Sequence, residues 1–85
     1  MTVPDVEVSF DEFINIYDVI QVPPGTALIV QNKGSSPAVI QNVASQPSSS
    51  SWDGMFIPQY AVWRVEAGSL GAWVKGNGPL AVEIL

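Results

Sequence analysis

Histidine and cysteine are both absent from this 85-residue chain, and these two absences exclude most familiar active sites. Without them the chain has no Ser-His or Cys-His nucleophile pair, no disulfide, and no zinc site built on histidine or cysteine. Glycine-rich phosphate-binding motifs such as GxGxxG and GxxxxGK[ST] are missing as well. The remaining acid–base candidates are carboxylates, and these concentrate near the N-terminus. We therefore expect no catalytic residues, no cofactor and no enzymatic activity.

Positive charge is also scarce. Lys33, Arg64 and Lys75 are the only cations against eight acidic residues, which gives a net charge of -5. Binding to nucleic acid or to an anionic membrane surface requires clustered Lys and Arg, so we expect neither partner. No apolar run approaches the roughly 20 residues of a membrane span. Residues 1–10 lack the basic and apolar regions of a signal peptide, which indicates synthesis in the cytoplasm.

What the chain does contain is short β-branched runs separated by seven Gly and seven Pro. No segment shows a helical period, and the spacing of the runs is typical of a small all-β domain. Residues 1–85 are expected to form one all-β domain, a small β-sandwich or barrel of six to seven mainly antiparallel strands with an N-terminal arm. The predicted strands cover residues 13–22, 26–32, 38–43, 61–67, 70–75 and 80–85, with a short extended piece within 52–60.

Two hairpins are the best-defined local features. "IVQNKGSSPAVIQN" (29–42) and "WVKGNGPLAVEI" (73–84) each place a polar turn with glycine between two apolar runs. In "AVWRVEA" (61–67) the alternation puts Trp63 and Val65 on one face of a strand, with polar residues on the other.

Two segments are expected to lie outside the strands. Residues 1–12 are acidic and irregular, and we interpret them as an arm or a solvated edge strand. Calcium binding there is a weaker alternative, because the alternating D-x-[DN]-x-[DN]-G frame is missing and no metal site is predicted. Residues 44–51, "ASQPSSSS", form a low-complexity loop that orders only if something holds it, such as a neighbouring subunit.

Aromatic side chains are the candidates for contact with a partner. Trp63 is expected to pack in the core, whereas Trp73 is expected to face outward and Trp52 to lie at the end of the serine-rich loop. Trp and Tyr suit protein interfaces and also the stacking of sugars, so both uses stay open. The interface candidates are Phe10, Phe13, Tyr17, Trp52, Phe56, Tyr60 and Trp73.

Residues 26–85 resemble a known group. "TALIVQNKGSSPAVI", a loop, and then "FIPQYAVWRVEAGSLGAWVKGNGPLAVEIL" are similar to small virion proteins of tailed bacteriophages, which include capsid decoration proteins, head fibres and small tail-fibre modules. The resemblance is a pattern of strands and turns. It is carried by Gln31, Asn32, Gly34, Pro58, Trp63, Ala67, Gly68, Gly76, Gly78, Val82 and Ile84.

The resemblance implies a role. Proteins of this kind are usually multimeric, most often trimers at symmetry axes of the particle, and an N-terminal arm often docks onto the capsid. We accordingly expect a non-enzymatic capsid decoration or cement protein that binds the major capsid protein or another virion protein as a homo-oligomer, a trimer being favoured. It would be made in the host bacterial cytoplasm and located in the virion. The alternative is a receptor- or carbohydrate-binding β-module of a phage fibre.

Overall fold

Eight short strands and one five-residue helix form the regular structure of residues 2–85, the part of the chain that the computed structural model describes. The prediction of a mainly β chain is confirmed, with eight strands instead of six to seven. The elements are β1 Thr2–Val8, β2 Ile14–Asn15, α1 Ile16–Ile20, β3 Leu28–Asn32, β4 Ala38–Gln41, β5 Met55–Ile57, β6 Val62–Val65, β7 Trp73–Lys75 and β8 Gly78–Ile84.

The strands form two antiparallel sheets of four. The first sheet has the order β1-β8-β3-β6 and the second has the order β2-β7-β4-β5. Each strand of the first sheet is therefore joined to the strand at the same position of the second sheet by one of four connections: β1–β2, β7–β8, β3–β4 and β5–β6. We call each such pair an arch, because its two strands lie in different sheets.

The two predicted hairpins are wrong for this reason. In both segments the turn carries the chain from one sheet to the other, so β3 does not pair with β4 and β7 does not pair with β8. The two turns pack against each other: the Lys33 N–H donates to the Pro79 carbonyl at 3.0 Å. Gly34 lies so close to Asn77 that a Cβ atom at Gly34 would be 1.9 Å from the Asn77 carbonyl oxygen. This contact fixes the two arches side by side.

One hydrophobic core joins the two sheets. Val30 lies between Val82 and Trp63 in the first sheet, and Ile40 pairs with Val74 in the second. Alternation along each strand directs these side chains inward, as the 61–67 pattern predicted for Val65. The core cluster comprises Val6, Val8, Ile16, Tyr17, Leu28, Val30, Ala38, Ile40, Ile57, Val65, Ala72, Val74, Leu80 and Val82.

The predicted strand at 13–22 is only partly a strand, since residues 14–15 form β2 and residues 16–20 form α1. Asn15, the second residue of β2, caps α1 by accepting a hydrogen bond from the Tyr17 N–H at 3.2 Å. The helix ends at Gln21, which has φ 59° and lies in the left-handed region. Ile16 and Tyr17 are buried, while Val19 faces outward. The spacing of Ile16 and Ile20 fits one turn of helix as well as alternate positions of a strand. In the structure the segment is helical and packs on β1.

The expected N-terminal arm is also corrected, because β1 is part of the first sheet. β1 pairs with β8, and Val6 and Val8 reach the core while Asp5 and Glu7 stay exposed. Burial of the two valines favours this edge strand over an arm.

Candidate functional site

Lys75 is the most unusual side chain in the described part of the chain. It lies in β7, between β2 and β4, on the face of the second sheet opposite the core residue Val74. Its side chain is fully buried, with 0% exposure. The Nζ atom donates a hydrogen bond to the Ser49 carbonyl at 3.1 Å and lies 3.9 Å from the centroid of the Trp52 ring and 4.9 Å from that of Phe13. Aromatic faces and one carbonyl therefore surround this cation.

No carboxylate pairs with Lys75 among residues 2–85. The two ion pairs found there join Lys33 to Asp5 at 2.6 Å and Arg64 to Glu66 at 3.2 Å, both on the surface. A buried ammonium without a counter-ion is costly unless other groups replace its hydration. Here the Ser49 carbonyl and the two rings do so: Ser49 and Trp52 belong to the loop between β4 and β5, and Phe13 directly precedes β2.

The serine-rich loop is held on the outer face of the second sheet by these contacts. Besides the Lys75–Ser49 bond, the Gln46 side-chain amide donates to the Phe13 carbonyl at 2.8 Å. Trp52 packs at a tilt on Phe10, with 5.5 Å between ring centroids. We call Lys75, Phe10, Phe13 and Trp52 the Lys75 cluster. The loop was expected to order only if something holds it, and these contacts come from other segments of its own chain.

Sequence reasoning missed Lys75, although a usable signal was present. Because Val74 is apolar and alternation holds in β7, Lys75 must share the outer face with Trp73. What the sequence could not reveal is that a loop more than 20 residues earlier covers this face.

The seven interface candidates fall into three groups. Phe13 and Tyr17 are buried inside the chain and offer no contact surface in this structure. Phe10 and Trp73 are half-buried. Trp52, Phe56 and Tyr60 are the exposed ones, with 54%, 56% and 65% of their surface accessible.

Tyr17 is a structural residue. Its hydroxyl donates to the Thr26 carbonyl at 2.7 Å and so ties α1 to the segment before β3. Burial raises the pKa of the Tyr17 hydroxyl above its ordinary value, an effect that hydrogen bonding partly offsets.

The β5–β6 arch concentrates exposed apolar side chains. Nine large hydrophobic residues are exposed among those described, and four of them fall within residues 55–62. Both strands of this arch are edge strands, since β5 pairs only with β4 and β6 only with β3. The four residues are Met55, Phe56, Tyr60 and Val62.

Tyr60 has a backbone conformation that rarely suits a bulky residue. Its φ is 65°, in the left-handed region. The Ala61 N–H bonds to the Pro58 carbonyl at 3.0 Å, the Tyr60 N–H to the Asn32 carbonyl, and the Asn32 N–H to the Ala61 carbonyl at 3.1 Å. This is a tight turn followed by a G1-type bulge, at a position that normally favours glycine. Asn32 fixes this turn: its backbone bonds to Tyr60 and Ala61, and its buried side-chain amide donates to the Ile57 carbonyl at 2.8 Å.

An open cleft of about 400 Å³ lies beside β6 and is lined by Asn42, Trp63, Arg64, Glu66 and Leu70, among others. The Trp63 indole N–H is buried and has no hydrogen-bond partner among the described residues; the same holds for Trp73. Within residues 2–85 no three acidic side chains come together as metal ligands, and no helix is long and apolar enough to cross a membrane.

Comparison of the chain with protein-family models, with curated proteins and with solved structures gave no significant match.

Proposed function

We propose that the protein is a non-enzymatic structural protein of a bacteriophage virion, which binds the capsid as a homo-oligomer and stabilises the shell. The observation that carries this proposal is the concentration of exposed apolar side chains on the β5–β6 arch. Exposed apolar residues that share one side of a molecule mark contact with another macromolecule more often than apolar residues scattered singly. A charge content of 13%, about half the usual value, leaves little surface that would oppose such contact.

The virion assignment rests on the strand-and-turn resemblance of residues 26–85. Several residues that carry the resemblance lie at the corners of arches. Gly34 contacts Asn77, and the side-chain oxygen of Asn32 accepts a hydrogen bond from the Gly34 N–H at 2.9 Å. A shared pattern at such corners favours a shared architecture. We further propose that the architecture is an open β-sandwich and not a closed barrel, because each sheet ends in two edge strands.

The proposed partners are other copies of this chain and the major capsid protein or another virion protein. Each apolar contact is worth about 25 cal/mol per Å² buried, and a particle with many sites adds weak contacts through avidity. The resemblance favours a trimer. The proposed location is the virion, after synthesis in the host bacterial cytoplasm.

The test is to purify virions by density-gradient centrifugation from a lysate that produces the protein, and to quantify the protein against the major capsid protein. A fixed ratio in the particle band is expected. Stripped particles should bind the purified protein saturably and rupture at a higher temperature afterwards. Particles that contain none of it, or that do not rebind it, would exclude the proposal.

A second candidate function is carbohydrate binding by a fibre module. It is favoured by Trp52, which presents an exposed ring backed by Lys75, and by Trp73 on the same outer face of the sheet. A glycan array probed with the protein and with Trp52→Ala tests it. Binding to a defined glycan that Trp52→Ala abolishes would favour this candidate over the first.

A further inference from the structure

The two lateral sides of the molecule differ in how they protect their sheet edges. On one side β1 carries Pro4, which lacks an N–H, and its register with β8 shifts between Val3 and Val6. Proline, irregular pairing and exposed acids such as Asp5 are the devices by which an edge strand avoids pairing with another chain. β2 is only two residues long and continues directly into α1. This side is closed to strand addition.

The opposite side has neither proline nor a register shift within its strands, and its one charged strand residue, Arg64, is paired with Glu66. β5 and β6 contain no proline, and each leaves one edge without a partner strand. The Ala61 carbonyl faces β3, since it accepts from the Asn32 N–H. By alternation, the N–H and C=O groups of Val62 and Arg64 point in the plane of the sheet, away from β3 and toward the free edge. Val62 is 57% exposed, so the free edge carries an exposed apolar side chain beside Arg64.

We propose that this open side binds a second copy of the chain, with β6 pairing antiparallel to β6 of the partner around a twofold axis. Unpaired backbone groups on such an edge fit an extended strand. A head-to-tail contact in the first sheet would pair β6 of one copy with β1 of the next, and β1 is blocked. The contact that remains is an isologous one, in which β6 pairs with β6 of the partner. An axis perpendicular to the sheets would bring the two β5 edges together at the same time.

Charge supports the same occupant. The chain carries -5, so association of two copies is opposed unless their acidic residues stay apart. Asp5, Glu7, Asp11 and Glu12 belong to the β1–β2 side, at the far ends of such a dimer. In the proposed contact Arg64 is paired with Glu66 at 3.2 Å, so the charges of these two residues offset each other.

The backbone conformation and exposure of Tyr60 are a second observation that favours this contact. A strained residue at a turn is retained when the side chain serves a purpose that glycine would not. Tyr60 stands at the tip of the arch with 65% of its surface exposed, beside the two free edges. We assign it to the rim of the dimer contact.

This inference deepens the proposed homo-oligomer and departs from the trimer that the resemblance implies, so stoichiometry decides between them. The test is sedimentation equilibrium of the full chain over a dilution series, with two matched variants. Val62→Lys adds charge at the free edge, whereas Val19→Lys does the same at a valine of α1 that is similarly exposed, at 51%. We expect a dimer whose dissociation constant rises about tenfold or more for Val62→Lys and stays nearly unchanged for Val19→Lys.

Amide hydrogen exchange of the unaltered protein checks the geometry without relying on a variant. Amides of Val62 and Arg64 should become protected as concentration rises through the dissociation constant. A trimer, a monomer at all concentrations, or a dimer that only Val19→Lys weakens would overturn the inference. A trimer found in virions would leave the proposed function standing, and a dimer absent from virions would leave the inference standing.

Discussion

The Nζ atom of Lys75 lies 3.9 Å above the centroid of the Trp52 ring, although the two residues belong to different layers of the molecule. Lys75 is fixed in the central part of the second sheet, whereas Trp52 ends the serine-rich loop that crosses its outer face. The pair therefore joins a rigid strand to a polar loop that has few apolar contacts of its own. Order in the loop should depend on the ammonium group.

Lys75→Met tests this dependence, because methionine keeps much of the apolar stem and removes the charge. Loss of the bond to the Ser49 carbonyl and of the cation–π contacts should cost the loop about 1–2 kcal/mol of local stability. Global stability should change by about 1 kcal/mol or less, since the cost of burying the charge disappears at the same time. Amide exchange of residues 48–52 should then accelerate about 5–30-fold.

Lys33→Met is the matched control for Lys75→Met. Lys33 forms an exposed ion pair with Asp5, which contributes about 0–1 kcal/mol, and it does not touch the loop. If both variants changed exchange of the loop equally, or if neither did, Lys75 would not be what holds the loop.

Gly34→Ala should be strongly destabilising, because the added Cβ would lie 1.9 Å from the Asn77 carbonyl oxygen. Both groups belong to backbone, so the two turns must separate and the β3–β4 and β7–β8 arches with them. We expect a loss of about 2 kcal/mol or more in the free energy of unfolding, measured by urea denaturation. Gly68→Ala is the comparison: Gly68 has φ 89° but open space around it, so only the backbone strain of about 1–2 kcal/mol applies. Equal losses in the two variants would contradict the packed-turn explanation.

The sequence was sufficient to predict several strands and their inward faces, but not which strands pair with each other. A run that is apolar on both faces located β3, and alternation located β6 and placed Trp63 and Val65 together, because both patterns are local properties of the sequence. A turn such as "KGSSP" has the same composition whether it closes a hairpin or carries the chain to another sheet. The contact of Gly34 with Asn77 decides this, and it joins residues over 40 positions apart.

The candidate site could likewise be predicted only in part from the sequence. Among the aromatic residues chosen as interface candidates, Trp52, Phe56 and Tyr60 are exposed. Phe13 and Tyr17 were chosen by the same criterion and are buried. A strand was predicted where α1 turns Tyr17 inward, and Phe13 lies against the serine-rich loop and Lys75. The left-handed backbone of Tyr60 had no signal in the sequence, where Gly or Asn would normally mark such a position.

Alkaline pH should destabilise the protein through Tyr17. Its pKa is raised in the folded state mainly by burial, so the folded chain holds the proton where the unfolded chain has lost it. Stability contributed by Tyr17 is thus intact below the unfolded value of about 10 and falls as the pH rises from there through the raised folded pKa. Tyr17→Phe should lose about 1 kcal/mol at neutral pH from the missing bond to Thr26. As the pH rises above about 10, its urea midpoint should also fall less steeply than that of the wild type; parallel slopes would contradict this role.

Tyr60→Gly should stabilise the fold while it weakens self-association. A left-handed conformation costs an L-residue about 1–2 kcal/mol, and glycine adopts it freely at some cost in chain entropy, so a net gain of about 1 kcal/mol is expected. The urea midpoint should rise with an unchanged slope. Gln59→Gly, one position earlier and outside the left-handed region, should instead lose about 0.5–1 kcal/mol. A Tyr60→Gly protein that is less stable than the wild type would mean that the tyrosine side chain supports the fold itself. In that case strain retained for contact with a second copy would no longer explain its presence.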